Sequence, residues 1–240
     1  MSETIASASP AARAPKGLLA RVAGVVTSPR ATYAEVAARP RWLGAFLFVV
    51  LVSGSAATAF MATEVGQRAV FTQQMDRMEA SGRHLSDEQT RVFERMLPYY
   101  KYFAFVIQLV IFGLGGVVVA ALALAVFNAL LGGDASFRQV FAIVAHSGAI
   151  LMLGALVTLP LDYMNRTLTS PTSLALPMLD ESTFLARFLG TFELFRIWWV
   201  VSLAIGLAVL YRRRTGPIAT TLLVVYTAIA LTYAAIATAL

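Results

Sequence analysis

The sequence predicts an all-α polytopic membrane protein, a bundle of five transmembrane helices preceded by interfacial helices, and three observations predict it. Hydrophobic residues fill 58% of the 240 positions and charged residues only 13%, with a mean hydropathy of +0.72. An ordinary soluble domain is about half apolar and about a quarter charged. Five stretches carry no charge for long enough to approach or exceed the ~30 Å hydrocarbon core of a bilayer. The remaining charges cluster between those stretches. A net charge of +6 and a pI near 10.0 would suit a nucleic-acid partner if the basic residues formed one stripe, but here they flank apolar runs. No nucleic-acid partner is expected, and the lipid bilayer is the partner that the composition implies.

The chain has no cysteine, so disulfides, zinc-thiolate sites, iron-sulfur clusters and thiol catalysis are excluded. No cofactor or metal is expected. Of the nineteen lysines and arginines only Lys16 and Lys101 are lysine, a bias that fits GC-rich codon usage and a bacterial plasma (inner) membrane.

Residues 1–15, rich in Ser, Ala and Pro, read as a disordered tail. No apolar h-region lies close to the start, and the first long apolar run begins at Trp42, so no cleaved signal is expected. Over residues 16–41, Leu18, Leu19, Val22, Val25 and Val26 recur at helical spacing. Ser28 and Pro29 then read as the N-cap and first position of a second short helix, which ends before Pro40. The pair is expected to lie on the membrane as interfacial amphipathic helices. A hairpin packed on the protein's own cytoplasmic face is the alternative.

The membrane domain covers residues 42–240, with spans at about 42–62, 102–131, 137–161, 191–211 and 216–239. Span one is charge-free from Trp42 to Ala62, about 31 Å as a helix, and its second half carries small residues that admit a close neighbour. From Thr63 to Lys101 the chain turns polar, with six basic and six acidic residues. Val70, Phe71, Met75 and Met78 mark one helix face, Gly82 breaks that helix, and Ser86 with Gln89 makes a capping box for another. This predicts an amphipathic helical hairpin on the membrane surface between spans one and two.

Tyr102 to Gly133 is charge-free and about 48 Å long if helical, more than one straight crossing needs. It must tilt, kink or protrude, and Gly113, Gly115 and Gly116 stand where a kink or a close helix contact would fall. Ser136 with Gln139 is a second capping box that opens span three, which closes at Pro160 and Asp162. A polar loop follows, with a short helix after Ser182. In span four the uncharged stretch Ile197–Tyr211 reaches only about 22 Å. The crossing is complete only if the helix begins near Thr191, with Glu193 and Arg196 in the headgroup zone as an interfacial charge pair. Arg212, Arg213 and Arg214 form a tight basic turn, and Pro217 opens span five.

With five crossings, ten lysines and arginines fall on the side of the N-terminus and nine on the other, so the total decides little. Their density decides more. Six basic residues precede span one, Arg212–Arg214 fill one turn and none follows span five, which puts the N-terminus in the cytoplasm and the C-terminus outside.

Inside the spans the polar candidates are few. His146 beside Ser147 could serve as base and nucleophile, or relay a proton to Asp162, but sixteen residues separate His146 and Asp162 by about 24 Å on one helix. A histidine bonded to a neighbouring helix is the plainer reading. Gln108 and Asn128 in span two read as joints between helices, and a transport path would need more polar residues than these.

Three motifs in this order resemble the Yip (Ypt-interacting protein) domain family. They are SPRATY at 28–33, with Pro29 and Tyr33; SFRQVFAIVAHS at 136–147 after the long second span; and FELFRIWWVVSLAIGL at 192–207, where Glu193, Phe195 and Trp198 match an acidic-x-Phe-x-x-Trp opening. The resemblance covers roughly residues 18–240. It implies five membrane helices, a cytoplasmic N-terminus and action through partners. Eukaryotic members contact Rab-type GTPases, but their Asp-Leu-Tyr-Gly-Pro element is missing here, so GTPase binding is not carried over; the pattern is that of a bacterial-type member. The expectation is a non-enzymatic scaffold or trafficking-like factor that uses protein or lipid partners, self-association included. A small transporter or channel subunit is the alternative.

Overall fold

The structure is a computed structural model and describes residues 17–80, 82, 84–130, 132–168, 172–175 and 183–239. The tail expected over 1–15 and the turn leading to Ser182 lie outside the described residues. Among the described residues ten α-helices follow one another: α1 Leu18–Thr27, α2 Pro29–Ala38, α3 Trp42–Met61, α4 Glu64–Ala80, α5 Asp87–Met96, α6 Tyr100–Leu124, α7 Phe137–Asn165, α8 Phe184–Gly190, α9 Leu194–Leu210 and α10 Thr215–Ala239. Among them four helical runs are long and apolar enough to cross a membrane: α3, the near-continuous run 87–129 that contains α6, α7, and α10. The protein is an integral membrane protein by this measure. The α9 helix is apolar but has 17 residues, about 25 Å of rise.

The α7 helix is the axis of the bundle. Its first half, Val140–Ile150, is buried without interruption. That burial is why its sequence shows no polar face: neighbours surround it on every side. Paired contacts give the directions of those neighbours. Trp42 meets Phe141 at 5.0 Å between ring centroids and Val49 sits against Gly148, so α3 runs parallel to α7. Phe112 packs at Gly148 and Gly116 at Phe141, so α6 runs antiparallel to it. On the remaining side Phe195 meets Gly154, Trp199 meets Ser147 and Gly206 meets Ile143, so α9 descends antiparallel along the same axis.

The N-terminal helices pack on the bundle itself. Tyr33 and Val36 of α2 are fully buried in the core cluster with Ile143, Leu203 and Leu207, and Val22 of α1 clusters with Val49, Ala149 and Met152. Leu19 and Val26 remain exposed, which leaves α1 an outward apolar edge. Between α3 and α6, α4 and α5 meet where Phe71 stacks on Phe93 at 5.6 Å. Gly82 (φ 70°) makes the turn between them, and the capping box of α5 is complete, with the Ser86 amide donating to Gln89 Oε1 and the Gln89 amide donating to Ser86 Oγ.

The structure corrects two boundaries. Through its glycines the long second span is one continuous helix, and two of them take the close-contact reading: Gly113 faces Phe46 and Gly116 faces Phe141. At its far end Ala125–Leu130 widens into a π-helical turn. Pro160 does not close α7, which runs on to Asn165 and ends where Arg166 adopts φ 56°. A proline removes one amide donor, which a membrane helix tolerates where neighbouring groups or small backbone adjustments satisfy the freed carbonyl. Span four does not become helical at Thr191; α9 begins at Leu194, because Glu193 is held extended in an antiparallel bridge with Ser173.

Candidate functional site

Four polar clusters occupy four levels of the bundle. At the level of α2, Tyr33 Oη and Ser202 Oγ share a hydrogen bond of 2.7 Å, with both residues buried. Pro29 starts α2 at a position where its missing N–H costs nothing, and one helical turn later Tyr33 points at α9. Burial pushes the Tyr33 phenol well above its ordinary value of 10.0, against a smaller lowering from Ser202, so it stays neutral in the fold. The α9 backbone comes this close because position 206 is glycine: a Cβ there would meet the Tyr33 ring at 3.1 Å and collide with Ile143.

One step deeper, Trp199 Nε1 donates to Ser147 Oγ at 3.0 Å, and Ser147 donates to the Val144 carbonyl at 2.8 Å. Next to it, His146 Nδ1 lies 2.7 Å from the Ala142 carbonyl, an acceptor only, so Nδ1 carries the proton. Ser147 is therefore spent on two structural bonds and His146 on its own helix. They do not form a nucleophile and base. Among the described residues no group of three or more His, Cys, Asp and Glu is placed to hold a metal ion.

At one end of the bundle the π-helical turn brings Asn128 to the loop after it. Asn128 Nδ2 donates to the Ala135 carbonyl at 2.7 Å, and Tyr211 Oη donates to Asn128 Oδ1 at 2.9 Å. Tyr211 also stacks on Phe127, centroids 4.9 Å apart. These contacts wall a pocket of about 380 Å³ whose rim carries Asp134, Gln139, Arg212 and Arg213. Arg212 adopts φ 51°, in the left-handed region that costs a side-chain-bearing residue about 1–2 kcal/mol. Cross-links gather the other basic segments at this end: Arg30 donates to Thr215 Oγ1, Arg138 Nε to the Pro40 carbonyl and Gln139 Nε2 to the Ala37 carbonyl.

At the opposite end Glu193 and Arg196 pair at 3.2 Å, the carboxylate largely buried and the guanidinium half exposed. Thr172 Oγ1 donates to the same carboxylate at 3.1 Å, and the amides of Leu174 and Leu194 exchange bonds with Phe192 and Thr172 across the loop. Tyr226 of α10 donates to the Thr191 carbonyl, and its ring stands edge-on to Phe192. A double-mutant cycle on detergent melting with Glu193→Gln and Arg196→Gln should give a coupling of about 0.5–1 kcal/mol. Additive losses would show that each charge reaches water on its own.

Of the residues singled out in the sequence, Gln108 is half-buried on α6, Asn128 belongs to the end pocket and His146 to the interior. They are not brought together. Phe195 and Trp198 stack at 6.2 Å and pack against the core, with Phe195 seated on Gly154. Arg212, Arg213 and Arg214 are exposed. Sequence reasoning missed Ser202, Ser147 as the partner of Trp199, Gly154, Gly206 and the buried Arg21, whose Nε has no hydrogen-bond partner among the described residues. The one available signal was small or hydroxyl residues inside apolar runs, which does not say which helix they face.

The family model described as the Yip1 domain matches residues 23–238. No curated protein and no solved structure matches the chain.

Proposed function

The chain belongs to the Yip1 domain family, and from that premise we propose that it is a non-enzymatic, bacterial-type membrane scaffold or trafficking-like factor working through protein or lipid partners. The observation that carries this reading is the separation of the intramembrane polar residues. Gln108 and Asn128 lie twenty residues apart on one helical run, about 30 Å, and His146 is bonded within α7. A transporter would gather such groups along one path; here Asn128 and His146 each serve a local contact and Gln108 stands apart from both. The test is gentle-detergent purification from native membranes followed by electrical recording in planar bilayers. A defined protein or lipid retained through purification is the expected result. A chain that purifies alone and conducts ions would replace this reading with the channel alternative.

The same reading includes five crossings, a cytoplasmic N-terminus and a C-terminus outside a bacterial inner membrane. What supports the fifth is the register of α9 along α7 from Phe195–Gly154 to Gly206–Ile143. Glu193, held extended just ahead of it, lengthens it by about 3 Å. Because the chain has no cysteine, single cysteines report topology directly. Introduced at Ala38 and Gly216 they should be shielded from an impermeant thiol reagent in intact cells, whereas at Glu88 and Met164 they should be labelled. Labelling at Gly216 would reverse the orientation, and equal behaviour of Met164 and Gly216 would mean that α9 does not cross.

A further inference from the structure

We propose that the pocket between the 132–135 turn and the 211–213 turn binds the phosphate of an anionic phospholipid headgroup that also carries hydroxyl groups. The inference deepens the scaffold reading by naming a lipid class, and it rests on that reading only for the presence of a membrane.

Charge is the first argument. Among the described residues, seven exposed arginines, at 30, 39, 41, 138, 212, 213 and 214, share this end of the bundle with one exposed carboxylate, Asp134. The positive-inside rule asks only for cations near the ends of spans. It does not ask for a walled cavity, and the pocket is one: about 380 Å³, within the range of small-ligand sites, with Arg212 and Arg213 on one side and Gln139 and Asp134 on the other. The wall is built tightly, since a Cβ on Gly133 would lie 2.6 Å from the Tyr211 ring, and Asn128 fixes that ring by its hydroxyl.

Depth is the second argument, and it chooses the source of the anion. Arg212–Arg214 lie directly between the end of α9 at Leu210 and the start of α10 at Thr215, and Asp134 stands three residues before α7 begins at Phe137. Every charged group of the pocket is therefore within about one helical turn of a lipid-crossing segment, where phospholipid phosphates lie at high local concentration. Guanidinium groups suit a phosphate through paired N–H donors. The carboxylate of Asp134 would repel a second phosphate on the same ligand but can accept from a hydroxyl, which favours a singly charged polyol headgroup such as phosphatidylglycerol.

The experiment uses the full chain in detergent and in nanodiscs. Native mass spectrometry counts retained lipid, and melting follows the addition of phosphatidylglycerol, phosphatidylcholine or inorganic phosphate. Phosphatidylglycerol should be retained and should raise Tm, and R212Q/R213Q should weaken retention about tenfold or more. R39Q/R41Q, which removes the same charge from the same end outside the pocket, should change it less than about twofold. Equal losses in the two double variants would mean a diffuse cationic surface and overturn the site. Inorganic phosphate stabilising as well as the lipid would overturn the lipid source, and unchanged retention in R212Q/R213Q would overturn both. Should the double variant not fold, Arg212→Gln and Arg213→Gln singly carry the same comparison. Retained phosphatidylglycerol would also meet the lipid arm of the scaffold test, whereas loss of the site leaves that reading to be decided separately by a retained protein partner and by the conductance measurement.

Discussion

Replacing Tyr33 with alanine should lower stability by about 3–5 kcal/mol, the range for emptying a large buried side chain. In a chain of this size that is a fall in detergent Tm of about 10 °C or more. The effect is large because Tyr33 is fully buried, fills the contact of α2 with α7 and α9, and holds Ser202. Its loss empties the site and leaves the serine hydroxyl unpaired. Tyr33→Phe separates the two contributions: it keeps the packing and removes the bond, for about 1 kcal/mol, and Tyr33→Phe combined with Ser202→Ala should recover part of that. A pH signature accompanies it. The folded phenol titrates above its ordinary 10.0, so its contribution is complete below pH 10 and is lost as pH rises through the higher folded value. That alkaline loss should be absent from Tyr33→Phe. A Tyr33→Ala chain that melts with the native protein would show that α2 is not seated in the bundle in solution.

Gly154→Val should be the most damaging substitution on α7. A Cβ at this position would lie 2.8 Å from Cβ of Phe195. That atom is anchored to the α9 backbone and cannot rotate aside, so the whole start of α9 must retreat and uncover Phe195 and Trp198. Overpacking of this kind typically costs about 1–3 kcal/mol, and the forced movement of a helix puts the expected value at the upper end or beyond. Gly206→Val should act the same way one level up, against Ile143 and Tyr33. The internal control is Gly115→Val, where nothing lies within 4 Å of a new Cβ; its melting should be close to native or slightly raised, because helical glycine is itself unfavourable by about 0.5–1 kcal/mol against alanine. If Gly154→Val and Gly115→Val melt together, α9 is not docked on α7.

These residues also show where sequence reading stops. Trp42–Met61 and Thr215–Ala239 were legible because charge-free length is a property of the chain itself: lipid accepts no unsatisfied backbone, so such runs must be helices. The two capping boxes at Ser86 and Ser136 were legible for the same reason, being closed within four residues. Tyr33, Glu193, Phe195 and Trp198 could be marked through the family resemblance, yet their partners could not. Ser202, Thr172, Gly154 and Gly206 lie 21 to 173 residues away from the groups they meet.

Periodicity, which usually tells a buried face from an exposed one, was silent here because lipid-facing and core-facing residues are equally apolar. Local composition therefore carried the medium, the helical class, the order of the long spans and the basic turn at Arg212–Arg214. Assembly in three dimensions made α7 the axis, seated α2 in the bundle through Tyr33, widened the end of the second span into a π-helical turn, and closed one pocket around Phe127, Tyr211, Arg212 and Arg213. The physical reason is one of range: helix formation and burial in lipid follow from local composition, whereas the choice of neighbour depends on shape and hydrogen-bond matches between segments far apart in the chain.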